Sequence, residues 1–282
     1  MKYDESLFEG TAEYYGKYRP RYPEKIFDRI IDIFQPSEDD VSLDLGCGTG
    51  EIALPLAKYF KKVLAWDPDG EMLEVAKRKA EEQGVTNVVF EQKSSDDLPT
   101  LSEKIKLVTM GQSLHWMDVE VVLSEIKKHL VIGGGVAIIG GAQHGLHIYS
   151  PFFDEPNEIT AERNKIVREV VIKDLGSERK AGKSVFRQRD DKWLKFDDAL
   201  AKTGFTDIDE IMFSETVKRS VDETIGFLYS TSWGNKHQLG EKVDEFEKEL
   251  REKLLELQPS GVFDERVEFY FINGRRKPEN EQ

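Results

Sequence analysis

The segment LDLGCGTG at 43–50 restricts the fold of this chain more than any other feature. It follows an apolar, strand-like run and leads into a helix-like one. Glycines at 46, 48 and 50 let the backbone turn sharply and approach a ligand where any Cβ would collide. Strand, glycine turn and helix in that order form a unit of an open parallel sheet, in which ligands bind beyond the carboxyl ends of the strands.

The flanking sequence repeats the alternation. Pro23 and the spacing Ile26, Phe27, Ile30, Ile31, Phe34 predict an amphipathic helix over 23–34. Strands are expected at 41–45, 63–66, 88–90, 105–110 and 136–139, with helices at 52–60, 70–82 and 119–129 between them. Such spacing implies right-handed crossovers and helices on both faces of the sheet. After residue 140 the rhythm is lost. Helices near 158–175, 197–203, 222–229 and 240–257 and strands near 208–217 and 267–272 complete the expectation. The whole reads as one α/β domain spanning 1–282. Residues 1–22 hold an aromatic and basic cluster ahead of the first regular helix, and 23–140 a ligand-binding core. Residues 141–192 and 218–260 form a helical elaboration over one edge, and 205–217 and 266–273 the last strands of a seven-stranded, mostly parallel sheet.

Charge narrows the partners. Among 282 residues, 40 Lys and Arg face 54 Asp and Glu, a net of −14. A nucleic-acid partner calls for the opposite balance, so none is expected. The single cysteine, Cys47, excludes an intrachain disulfide and a cysteine-rich metal site. The polar opening MKYDESLFEG has no signal-like core, and no apolar run nears the ~20 residues that span a bilayer. A cytoplasmic protein with no membrane partner is expected; the oligomeric state is not legible.

The ligand of the glycine turn can be narrowed too. A dinucleotide fingerprint reads G-x-G-x-x-G. Here the third glycine comes one residue early and Glu51 takes its place, where a carboxylate opposes a pyrophosphate. No Gly-Lys-Ser/Thr follows, so a P-loop is excluded. Asp67, at the tip of the second strand in VLAWDPDG, is suited to accept hydrogen bonds from two ribose hydroxyls. The same DPDG is also turn and helix-cap chemistry. A nucleoside without phosphates fits the pair of features best.

With LDLGCGTG, LAWDPDGEML, KSSDDLP and VTMGQSLHWMD in order, residues 10–140 resemble the class I S-adenosylmethionine-dependent methyltransferases, a Rossmann-like family. Within it they are most similar to the small-molecule group that includes trans-aconitate methyltransferase. The resemblance implies S-adenosylmethionine as cofactor. It places Gly46, Gly48 and Gly50 along its methionine and ribose, with Asp44 beneath them fixing the loop or meeting the amino group. It gives Asp67 the ribose hydroxyls, Pro68 and Met72 the adenine faces, Ser95 and Asp96 the adenine amino group, and backbone at Gly111 and Gln112 the methionine part. Ser94-Ser95-Asp96-Asp97 stands where relatives often have Ala-Glu or Ala-Asp, so either Asp96 or Asp97 suits the adenine contact. In such enzymes the segment before the first helix often folds over the cofactor. Tyr14, Tyr15, Tyr18 and Arg19 then stack near the sulfonium or pair with the cofactor carboxylate; alternatively the tyrosines only staple the segment down.

Methyl transfer from a sulfonium needs alignment, exclusion of water and, for some acceptors, a base. His115 in SLHWMD is the candidate base, or else a cap for the helix that follows, packed on Trp116. A carboxylate acceptor needs no base. Trp116, His144, Tyr14, Tyr229 and Trp233 are candidate substrate contacts. His144 and His147 lack an acidic partner at ligand spacing, so no metal is expected. MGQSLHW replaces the Asn/Asp-Pro-Pro-Tyr/Phe element of nucleic-acid amino methyltransferases. The rival readings are a nicotinamide-dependent oxidoreductase, a protein-modifying methyltransferase and a non-catalytic cofactor-binding protein.

Overall fold

Alternating side chains along each central strand decide how the sheet is covered. In the computed structural model, which describes residues 8–143, 157–177, 180–181, 184–185 and 196–277, β1 is Val41–Leu45, β2 Lys62–Asp67, β3 Val88–Gln92 and β4 Ile105–Gly111. Leu43 and Leu45 of β1 join Val108 and Met110 of β4 in a core beneath α5 (Val119–His129) and α7 (Phe196–Lys202). Val63 and Ala65 of β2 and Leu107 of β4 pack on the other face, against α2 (Glu24–Phe34) and α3 (Ala53–Leu56). Burial on both faces is what a parallel sheet with helices on each side requires.

The sheet has seven strands. With β5 Leu130–Gln143, β6 Thr206–Ser220 and β7 Val262–Arg275, the order is β3-β2-β1-β4-β5-β7-β6. Pairings among β1 to β5 are parallel, and β7 runs antiparallel between β5 and β6. The mostly parallel sheet expected from the alternation is therefore present. Its strand order reverses at β1 and β4, where the connections diverge and a crevice opens. A two-residue ribbon, 180–181 with 184–185, lies apart from the sheet.

α4 (Gly70–Glu82) coincides with its expected bounds, its first turn capped by Asp69, which accepts from Glu71 N and Met72 N. α5 and α6 (Glu158–Leu175) coincide as well. Three expectations need correction. The N-terminal segment is not free of regular structure: Ala12–Tyr18 is a helix, α1. The helix expected over 52–60 is only the four-residue α3 and a 3₁₀ turn at Ala57–Tyr59, because Pro55 lacks the N–H that a longer helix needs. The fifth strand starts before its glycines instead of after them. At Gly135 the backbone of β7 lies so close that a Cβ would stand 2.1 Å from the Gly274 carbonyl.

α8 (Val221–Tyr229), α9 (Lys236–Leu239) and α10 (Val243–Leu257) join α6 around a separate apolar cluster. Val167, Phe227, Phe246, Leu250 and Phe263 are buried in it. No helix among the described residues is long and apolar enough to cross a membrane.

Candidate cofactor site

The cavity lies at the carboxyl ends of β1 and β4, at the reversal of strand order. Its floor is the glycine turn. Gly46, Gly48 and Gly50 all have positive φ, +74°, +52° and +84°, which side chains rarely adopt. At Gly46 a Cβ would also stand 2.5 Å from that of Ser113, whose hydroxyl donates to Leu45 O at 2.7 Å. At Gly48 the space is open toward the cavity, with only a Tyr15 ring carbon among the described residues within 4 Å, at 3.8 Å. Gly50 points away and packs on Leu54 and Ala76.

Two buried acids hold this turn. Strand register sets Asp44 beside Thr109. Asp44 accepts from the Thr109 hydroxyl at 2.7 Å and from Ala53 N at 3.1 Å, tying β1 to β4 and to α3. Burial pushes its carboxyl up to about 7, against the downward pull of those two bonds. Asp67 accepts from Gly48 N at 2.7 Å with one oxygen and from Asp69 N at 2.9 Å with the other. Burial raises it to about 6. A carboxylate offers about four acceptor positions, so these two bonds use roughly half of them. The turn and cap chemistry of DPDG is thus shared, with Asp67 gripping the glycine turn and Asp69 capping α4. Glu51 lines the cavity and pairs with Lys79 of α4, so its charge is balanced where it stands.

The roof comes from the N-terminal segment. Tyr15, Arg19, Pro20 and Tyr22 line it. Burial raises both phenols above their ordinary pKa, so they face the cavity protonated. Arg19 lies 4.8 Å from the Tyr15 ring and 5.0 Å from Phe227, and donates from Nη2 to Ser230 O at 3.1 Å. Its Nε is buried, with no hydrogen-bond partner among the described residues. On the far wall Gly111 and Gln112 close the end of β4. Gln112 has a left-handed φ of +54°, held by its N–H on Ile139 O and its Nε2 on Gly141 O, both at 2.8 Å.

Asp67 and Gly50 do not line the cavity, and several other expected residues also fall outside it. Pro68 accepts from Gln92 Nε2 at 3.0 Å through its carbonyl. Met72 is buried under Ala12, beside Phe8 and Tyr15. Ser95 opens a 3₁₀ turn, Ser95–Thr100, in which Ser94 and Asp97 cap each other, leaving Asp96 as the exposed acid of the pair. His115 is exposed in a 3₁₀ turn, Leu114–Trp116, its ring centroid 4.9 Å from that of Trp116. It does not cap α5, which starts after Asp118. Tyr14 stacks on Tyr18 at 6.1 Å and meets Tyr229 edge-on at 5.3 Å, while Lys236 lies over both Tyr14 and Tyr229. Trp233 is buried in the cluster of α6, α8 and α10. His144, with His147, lies outside the described residues. Among the described residues, no three His, Cys, Asp or Glu side chains gather as metal ligands.

Tyr22, Cys47, Ile52, Gly141 and Phe269 line the cavity without having been singled out for a role there. Tyr22 was within reach, being part of the aromatic cluster EYYGKYRPRYP. Phe269 carries no local signal, because only the antiparallel register of β7 sets it opposite Gly141.

Residues 43–134 match the sequence pattern of a methyltransferase domain. An uncharacterized methyltransferase of Schizosaccharomyces pombe is 34% identical over 126 residues, 44% of this chain and 48% of that protein. A Saccharomyces cerevisiae protein named as an S-adenosylmethionine-dependent methyltransferase is 26% identical over 128 residues, 45% of this chain and 44% of that one. The chain spans about half the length of the curated relatives it matches. Among solved structures, a methyltransferase of Thiobacillus denitrificans in complex with S-adenosyl-L-homocysteine superposes with a TM-score of 0.53 at 17% identity, covering 98% of this chain and all of that one. The YcgJ protein of Bacillus subtilis gives 0.54 at 16%, covering 91% of this chain and 100% of its own. At such identities the likeness is one of fold, and it extends over nearly the whole chain. The chain thus carries a methyltransferase domain over 43–134, set in a fold shared with a solved S-adenosylmethionine-dependent methyltransferase.

Proposed function

We propose that this chain transfers the methyl group of S-adenosylmethionine to a small-molecule acceptor, a carboxylate or another oxygen or nitrogen nucleophile, by in-line displacement. One observation carries the reading: a single cavity has buried Asp44 at its floor and an unpartnered arginine nitrogen, Arg19 Nε, at its roof. An acid and an opposed guanidinium match the ammonium and carboxylate of an amino-acid end. The open face of Gly48 gives room for close backbone approach.

When bound, the cofactor supplies a methyl group already activated on a sulfonium. The chain's own residues bind, orient and exclude water. Gly46 and Gly48 bring bare backbone against the ligand, with Gly50 closing the turn behind them. Asp67 takes the ribose hydroxyls on its remaining acceptor positions. Pro68 and Met72 flank the adenine, and Ser95 with Asp96 meets its amino group, since Asp97 is engaged in its cap. Gly111 and Gln112 present backbone to the methionine part. The N-terminal segment acts as a lid, with Tyr14 and Tyr18 seating it on α8 and Arg19 closing on the carboxylate. His115 and Trp116 border the route of the acceptor, where His115 orients it or removes its proton. A net charge of −14 favours a small acceptor over a nucleic acid.

Calorimetry with S-adenosylmethionine, S-adenosylhomocysteine and NAD tests this reading. Micromolar binding of the first two with none of the third is expected. Binding of NAD alone would overturn it.

A further inference from the structure

Behind the last turn of the lid, buried guanidiniums converge on one carboxylate. Arg163 of α6 and Arg219 at the end of β6 both pair with Oε2 of Glu265 on β7, Arg163 through Nη1 at 3.2 Å and Arg219 through Nε. All three side chains are buried, and Glu265 Oε1 has no hydrogen-bond partner among the described residues. Arg219 also reaches the lid: its Nη1 donates to Tyr18 O at 3.5 Å. That carbonyl belongs to the peptide leading into Arg19. The guanidiniums of Arg219 and Arg19 both lie against Phe227, 5.3 and 5.0 Å from its centroid.

Burying ions costs solvation that well-packed apolar residues would not lose, so such a cluster is a poor way to hold a sheet edge to a helix. Its particular geometry is what it contributes. Glu265 fixes Arg219, Arg219 holds the carbonyl before Arg19, and the shared ring keeps two like charges side by side. With Phe227 and Arg219 behind it, the Arg19 head is left facing the cavity. We propose that Arg219, braced by Glu265, is a positioning residue that aims Arg19 at the carboxylate of the cofactor. The proposal rests on the S-adenosylmethionine reading above.

The test compares two probes. S-adenosylhomocysteine has the amino-acid end; methylthioadenosine keeps the nucleoside and thioether but lacks it. Calorimetry is run on the wild type, Arg219→Gln, Arg19→Gln and the double variant. Arg219→Gln is expected to weaken S-adenosylhomocysteine about tenfold and methylthioadenosine less than about twofold. The double variant should bind S-adenosylhomocysteine no more weakly than Arg19→Gln alone, because the two residues act through one contact. Equal weakening of both probes, no weakening, or full additivity with Arg19→Gln would overturn the proposal. If Arg219→Gln does not fold, Arg219→Lys carries the same test. An ammonium cannot span Glu265 and the Tyr18 carbonyl together, so a selective loss for S-adenosylhomocysteine is again expected. A wild-type protein that binds neither probe would instead remove the cofactor reading on which the proposal stands.

Discussion

At Asp44 the needs of folding and of the proposed cofactor contact pull in opposite directions. Its carboxyl is raised from 3.8 to about 7 by burial. An acid with a raised folded pKa contributes its full stability below its unfolded value. That contribution is lost as pH climbs through the folded value, here between about 4 and 7. Asp44→Asn keeps the shape without the charge. It should therefore match the wild type near pH 4 and exceed it at pH 8 by on the order of 4 kcal/mol in denaturant titrations. Parallel stability profiles for the two proteins would refute this. Binding has the reverse sign. A cation beside Asp44 favours its ionised form, so cofactor affinity should rise from pH 5 to 7 and level off above, with proton release visible as a buffer-dependent calorimetric heat. Asp67→Ala removes the acceptor of Gly48 N and the proposed ribose contact. It should cost at least ~1.5 kcal/mol, about tenfold in S-adenosylhomocysteine affinity, and unchanged affinity would end the ribose assignment. His115 lies outside the cavity lining, so His115→Ala should leave that affinity within about twofold while lowering turnover. Normal activity per folded molecule would make it a packing residue only.

Among the elements, the lid shows best why local sequence was insufficient. Tyr14, Tyr15 and Tyr18 have helical spacing, but Gly16 and the aromatics are weak helix formers. α1 exists because Ala12 packs on Met72 and Val75 of α4 and because its tyrosines meet α8. Its exposed Glu13–Arg78 pair at 2.7 Å adds little, so Glu13→Ala should change ligand affinity less than about twofold. Gly226 is different: a Cβ there would stand 2.4 Å from the Tyr18 ring. Gly226→Ala should displace the lid and weaken S-adenosylhomocysteine by about fivefold or more, despite the better helix propensity of alanine. An affinity equal to that of the wild type would show that the lid does not need this seat.

For the whole molecule, ligand binding and stability are linked. S-adenosylhomocysteine at a hundred times its Kd should stabilise the fold by about 2.7 kcal/mol and raise Tm by several degrees, a shift that Asp67→Ala should largely lose. The alternation from β1 to β5, the glycine turn, Asp67 and the caps were legible in the sequence because each is governed by residues a few positions apart. Helical period, positive φ and cap chemistry are local physics, and they led to the sheet and to the glycine turn at the cavity floor. Contacts between distant strands and helices decided the rest. Phe269 reaches the cavity only through the register of β7 against β5. Tyr22 and Arg19 reach it only because α1 is clamped between α4 and α8. The buried pairing of Arg163, Arg219 and Glu265 joins three elements whose sequences carry no trace of one another. Sequence determined where the backbone makes its glycine turn at the cavity floor. Tertiary structure decided which side chains close over it, because long-range packing outweighs local preference wherever the two meet.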